Sequence, residues 1–169
     1  MRFERFLEDS AIRHGDKTAL VAGQTRLSYR AFDSLAQALA GSLAARGVGR
    51  EDRVLVLMDN CAEAAISIFA VLKAGATFSV INASTKAAKL AYIIANCEPS
   101  AILTSARLLD VALEAFGPTR LMFGSDWPVV TAHMGYGDWK GVVESFASHL
   151  SPSEHEAVMG GNAKRFYRL

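Results

Sequence analysis

The sequence predicts an α/β fold built on a partial doubly wound parallel sheet, and three observations carry that prediction. Arg53–Met58 (RVLVLM) is a nearly continuous apolar run of strand length, as expected for a parallel strand covered on both faces. Ahead of it, Phe32, Leu35, Ala36, Leu39, Ala40 and Leu43 fall at helical spacing. Behind it, helical and short apolar segments alternate, which spells strand–helix–strand units joined by right-handed crossovers.

Taken in order, residues 3–14 read as a short amphipathic helix with Phe3, Phe6, Leu7 and Ile12 on its apolar side. Ala19–Ala22 and Thr25–Leu27 flank Gly23 and predict a hairpin. Ser28 is placed to cap a helix running to Arg46, with Gly47 as its stop. After the strand Arg53–Met58, Asn60 is expected to cap the next helix, which ends at Gly75. Ala76–Ile81 is the second parallel strand, Ser84 or Thr85 starts a helix to about Asn96, and Ser100–Thr104 is the third strand.

The alternation continues with a different character. Leu108–Phe116 reads as a helix stopped by Gly117-Pro118, and Arg120–Phe123 (RLMF) as a short buried strand ended by Gly124-Ser125-Asp126-Trp127-Pro128. Asp138–Leu150 is a helix with Val142, Val143 and Phe146 inward, and Asp138 and Trp139 cap and staple it. Ser151-Pro152-Ser153-Glu154 is a capping box with proline at the first helical position. That helix stops at Gly160-Gly161, and Asn162 caps a last turn. Five helices, at about 28–46, 61–74, 86–96, 106–116 and 138–150, are then available to cover a single layer of four or five strands.

Composition excludes several function classes. Hydrophobic residues make up 51% of the chain, enough for a core. The net charge of +1 gives no electrostatic case for nucleic acid or an anionic membrane, and the basic tail Lys164, Arg165, Arg168 is too small to make one. Charge is balanced along the chain as well, with 12 basic and 10 acidic residues in 1–104 and 6 and 7 in 105–169. The charged N-terminus has no signal-peptide core, and the longest apolar run, Ala64–Leu72, is too short to span a bilayer. Cys61 and Cys97 fit no metal knuckle or redox pair, so a reducing cytoplasm is expected. Cys61, near a helix start, is read either as a packing residue or as a thiol of lowered pKa.

Motifs for phosphate or nucleophile chemistry are absent from the sequence. It has no G-x-x-x-x-G-K-[ST], no G-x-G-x-x-G and no G-x-S-x-G elbow around Ser125. Gly160-Gly161-Asn162 reads as a helix stop, with weak anion binding as the alternative. Lys73 lies at a helix end, where a cation suits the dipole; the competing role is a nucleotide ligand.

Residues 1–104 carry a set of cues in fixed order: Leu27-Ser28-Tyr29, Gly47–Val54 (GVGREDRV), Asp59–Glu63 (DNCAE), Leu72–Ala76 (LKAGA), Val80–Ala83 (VINA) and Lys89–Ile94 (KLAYII). With this spacing the segment resembles the N-terminal part of the AMP-forming acyl-CoA synthetases, the adenylate-forming ligase superfamily. The resemblance implies ATP-dependent activation of a carboxylate and transfer to coenzyme A in the parent enzyme. In that family the phosphate loop, the ribose-binding aspartate and the C-terminal lysine lie beyond the matched region, so residues 1–104 are expected to be scaffold without chemistry.

Residues 112–169 carry a second set: Ala115–Pro128 (AFGPTRLMFGSDWP), Leu150–Glu154 (LSPSE) and the ending Gly160–Leu169 (GGNAKRFYRL). This stretch resembles the C-terminal end of the amidohydrolase-related metal hydrolases, which include lactonases. The resemblance implies the last strand and closing helices of a (β/α)8 barrel. It also implies that Asp126, at the end of that strand, ligands a divalent metal or accepts a proton from water. The bland alternative is that Asp126 caps the turn after the strand. Metal-bound water normally takes three or more protein ligands. The histidines are His14, His133, His149 and His155, none forms H-x-H, and only His133 lies in the same loop as Asp126.

The sequence therefore predicts two truncated segments, 1–104 of ligase type and 105–169 of hydrolase type, with a seam near 103–114. The expected product is a non-catalytic chimeric or truncated fragment with no cofactor of its own. A part of an acyl-CoA ligase and a weak metal-dependent lactone hydrolase using Asp126 are the alternatives. Self-association through an exposed sheet edge is the expected partnership.

Overall fold

The computed structural model describes residues 2–118, 123, 135–148 and 150–167. They form α1 (Arg5–His14), β1 (Thr18–Ala22), β2 (Thr25–Ser28), α2 (Tyr29–Ala45), β3 (Arg53–Met58), α3 (Ala62–Lys73), β4 (Thr77–Asn82), α4 (Ala87–Cys97) and β5 (Ala101–Thr104). A 3-10 turn (Ala106–Leu108), α5 (Leu109–Phe116), α6 (Tyr136–Ala147), α7 (Pro152–Glu156), a wide turn (Ala157–Gly161) and α8 (Asn162–Tyr167) follow. The chain divides into two compact units. One comprises residues 1–85 and 93–105, the other 86–92 and 106–169.

In the first unit the parallel sheet has the order β4-β3-β5, and a separate antiparallel hairpin pairs β1 with β2. Register runs Arg53↔Thr77 to Met58↔Asn82 on one side of β3 and Val54↔Ala101 to Leu57↔Thr104 on the other. Val54, Leu55, Val56 and Leu57 are all fully inaccessible, so the apolar run is buried on both faces as its composition demands. Burying each such side chain is worth about 1.5–3 kcal/mol. Val54 packs with Ala40 and Leu43 of α2 and Ala70 and Val71 of α3. A second cluster joins Leu7 of α1 to Phe32 and Ala36 of α2, with Phe69 edge-on to Phe32 at 5.3 Å.

Local signals explain most boundaries. Ser28 accepts a hydrogen bond from Ala31 N at 3.2 Å and starts α2. Gly47 and Gly75 leave α2 and α3 in the left-handed region, at φ 84° and 83°. Two predicted starts move. Cys61 rather than Asn60 precedes α3, because Cys61 is itself extended (φ −137°, ψ 173°) and delays helix entry by a residue. Neither Ser84 nor Thr85 starts α4. Asn82 Oδ1 instead accepts from Ser84 N and Ser84 Oγ, each at 2.8 Å, and this turn holds the chain until Ala87.

Among the described residues the sheet has three parallel strands, the three expected from the first segment, and the β1–β2 hairpin stands apart from it. The predicted strand Arg120–Phe123 lies outside the described residues except for Phe123.

The described residues of the second unit are helical or turn. Gly135 N donates to Asp138 Oδ2 at 3.2 Å, so Asp138 reaches back to the start of α6 from its third position. Ser151 and Glu154 form the expected reciprocal box at α7: Ser151 N donates to Glu154 Oε2 at 2.9 Å, and Ser151 Oγ accepts from Glu154 N at 3.4 Å. Asn162 is buried, and its Nδ2 donates to Pro118 O at 2.7 Å, so it ties α8 to the loop after α5.

Candidate functional site

In an open parallel sheet, ligands settle outside the carboxyl ends of the strands, where the strand order reverses. Here β3 is central, with β4 on one side and β5 on the other, so the reversal falls beside β3. The groups at that edge are Asp59, Asn60 and Cys61 after β3, Asn82 and Ser84 after β4, and Thr104 and Ser105 at the end of β5. Thr104 Oγ1 donates to Leu57 O at 2.8 Å and pins the tip of β5 to β3. The Ser105 hydroxyl oxygen is shielded from solvent and has no hydrogen-bond partner among the described residues. The Cys61 thiol is pushed up from its ordinary value of 9.0, chiefly by burial and further by the neighbouring Glu63 carboxylate. It is therefore a protonated thiol at neutral pH rather than an activated nucleophile.

Residues 59–61, 82–84 and 104–105 include no lysine or arginine; Lys86 and Arg107 follow two residues after the second and third of these stretches. Lys73 is committed elsewhere. Its side chain is only 3% exposed, and Nζ lies 2.7 Å from Glu8 Oε1 and 3.0 Å from Asp33 Oδ1. Burial works against its charge, but the two carboxylates outweigh burial and raise the pKa above 10.5. The sequence placed Lys73 at a helix end; it gave no sign that α1 and α2 each supply a carboxylate.

The opposite edge of the sheet is held by Asp52, also unforeseen. Its Oδ1 accepts from Ser100 Oγ, its Oδ2 accepts from Gly49 N at 2.8 Å, and its carbonyl accepts from Thr77 N at 2.8 Å. The Ser100 bond, then the Gly49 bond, hold the carboxyl below its ordinary 3.8. Asp52 thus gathers all three parallel strands at their amino ends. The sequence signal was present: an aspartate three residues after Gly49, directly before an apolar run.

Asp126, the predicted metal ligand or proton acceptor, lies outside the described residues, as do His133 and His149. His14 ends α1 and is exposed, and His155 sits in α7. Among the described residues no group of three or more His, Cys, Asp or Glu is placed to hold a metal ion. Among the same residues no helix is long and apolar enough to cross a membrane.

Comparison with known proteins separates what is shared from what is not. A family model described as AMP-binding enzyme matches residues 7–134. The phosphinothricin tripeptide synthetase PhsC of Streptomyces viridochromogenes is 41% identical over 102 residues, 60% of this chain and 9% of that protein. An L-fucono-1,5-lactonase of Burkholderia multivorans is 53% identical over 62 residues, 36% of this chain and 21% of that protein. Among solved structures, a benzoate CoA ligase from Burkholderia xenovorans LB400 superposes with a TM-score of 0.65 at 23% identity, over 68% of this chain and 24% of that one. That likeness shows an α/β fold of the kind found in the N-terminal part of adenylate-forming ligases. The chain spans under a quarter of the length of each of these three proteins.

Proposed function

The chain belongs to the AMP-binding enzyme family, and from that premise we propose that it is a scaffold segment of an ATP-dependent carboxylate-activating enzyme that carries no adenylation chemistry by itself. The observation that carries this reading is the disposition of Lys73. Its side chain is buried at the end of α3, shortly before β4 begins and so toward the amino ends of the strands, and both Glu8 and Asp33 are spent on it, so that it ties α1, α2 and α3 together. Residues 59–61, 82–84 and 104–105 at the sheet edge supply carboxylate, hydroxyl, thiol and amide groups without a cation, and the sequence has no G-x-x-x-x-G-K-[ST] phosphate loop. The activities for which the relatives are named, a peptide synthetase and a benzoate CoA ligase, point to a carboxylic or amino acid as the substrate class of the parent enzyme. The test is carboxylate-dependent exchange of pyrophosphate into ATP, run with benzoate, a fatty acid and a mixture of amino acids. No exchange above background is expected. Exchange with any of them would show a complete adenylation site and overturn the scaffold reading.

A second reading applies to residues 105–169. We propose that this segment derives from an amidohydrolase-related lactonase, so that the chain joins parts of two enzymes. Its support is the 53% identity to the fucono-lactonase over 62 residues, a length close to that of the segment. The AMP-binding match runs on to residue 134 and overlaps the segment. On this reading Asp126 is the one inherited metal-site residue, and a single carboxylate does not hold a metal against dialysis. Zinc and manganese analysis should give well under one ion per chain. Retention of about one ion, lost in Asp126→Ala, would show instead that a working hydrolase centre survives.

A further inference from the structure

Leu7 is the one buried side chain of α1, and Phe6 and Ile12 of the same helix are exposed. What fastens α1 to the body beneath it is largely ionic. Glu8 reaches Lys73 of α3 at 2.7 Å, and Lys73 is shared with Asp33 of α2 at 3.0 Å. Ahead of the helix, Phe3 stacks on Phe69 yet keeps 59% of its surface exposed. Glu4 is buried, but its partner is Arg2 at 2.5 Å, a pair that lies within the N-terminal segment and moves with it. The cluster around Val54 that holds the sheet, with Ala40, Leu43, Ala70 and Val71, includes no residue of α1. Directly after α1 the chain is tied down again: Gly15 O accepts from Arg30 N at 2.9 Å, and Lys17 O accepts from Tyr29 N at 3.0 Å.

We propose that α1 is an ion-latched strap. It opens as a unit about Gly15, with the Lys73–Glu8 pair as its latch, while the sheet and the β1–β2 hairpin stay folded. This inference stands independently of the proposed function. A segment with little buried apolar surface opens at lower free energy than the core does. Here one leucine and one partly hydrated ion pair oppose the opening, whereas β3 has four consecutive inaccessible side chains. The two backbone bonds at Gly15 and Lys17 set where opening stops, because they fasten the chain to the start of α2. The release uncovers Phe32, Ala36 and Phe69, the apolar cluster on which Leu7 rests. The state of Lys73 thus decides whether that surface is reachable.

The test is residue-resolved amide hydrogen exchange on the full chain. In the wild type, amides of residues 9–14 should be protected at least about tenfold less than those of residues 54–57. Lys73→Met removes the latch and should speed exchange in α1 at least about tenfold. Glu8→Gln, at a side chain 37% exposed, should act in the same direction and keeps the test open if Lys73→Met does not fold. Val54→Ala supplies the opposite arm. It weakens the sheet, so exchange in β3 should quicken, but α1 opens without disturbing Val54 and its exchange should stay as in the wild type. Equal protection of α1 and β3 in the wild type would overturn the proposal. So would parallel acceleration of both in Val54→Ala, or α1 exchange unchanged by both latch variants, since each would show that α1 opens only when the whole unit unfolds or that Lys73 does not hold it.

Discussion

Lys73, in the last turn of α3, donates to Glu8 of α1 at 2.7 Å across 65 residues of sequence. The same ammonium lies 3.0 Å from Asp33 of α2, so one buried cation fixes the mutual position of three helices. The two partners keep 37% and 26% of their side-chain surface, so both remain partly hydrated and the pair is weaker than a fully enclosed one.

Replacing Lys73 by methionine should therefore cost about 1–3 kcal/mol, from two carboxylates left facing each other with no counterion. Adding Glu8→Gln to Lys73→Met should recover part of that loss, because it removes one of the stranded charges. Urea unfolding of the single and double variants measures both. A Lys73→Met protein as stable as the wild type would show that packing of α1, not the ion cluster, holds this corner.

Asp52 makes the acid limb of stability predictable. Its carboxyl is held below 3.8 by the Ser100 hydroxyl and then the Gly49 N–H. A folded pKa below the unfolded one gives stabilisation that is complete above the unfolded value and lost as pH falls through the folded value. The melting temperature should thus drop as pH falls below the ordinary carboxylate value of 3.8, and Asp52→Asn should flatten that drop. Equal slopes in wild type and variant would remove Asp52 from the account.

Gly75 isolates a backbone effect. It lies at φ 83°, and a Cβ added there would meet nothing closer than Arg50 N at 4.0 Å. Gly75→Ala should still destabilise by about 1 kcal/mol, because alanine is strained in that conformation although space is free. A neutral result in thermal unfolding would mean that the turn into β4 relaxes.

These relationships also show what the sequence could disclose. The run RVLVLM, the cap at Ser28 and the glycines at 47 and 75 are local signals, each acting within a turn or two, and their elements were legible. Asn82 shows the limit of such signals: its side chain bonds Ser84 and takes for a turn the residues that capping statistics assign to a helix start. The partners of Lys73, and the gathering of β3, β4 and β5 by Asp52, join segments far apart in the chain. Periodicity cannot report contacts of that range. The Ser105 hydroxyl was invisible for the same reason, since only the placement of β5 beside β3 gives it a position at the strand ends.

Whether this chain is ligase scaffold without nucleotide chemistry is decided by isothermal titration of Mg-ATP into the purified chain, with and without benzoate. No saturable heat is expected, any dissociation constant being weaker than about 1 mM, or roughly −4 kcal/mol. Saturable binding tighter than that would contradict it, because it would require a cationic phosphate site that Lys73, held by Glu8 and Asp33, does not provide.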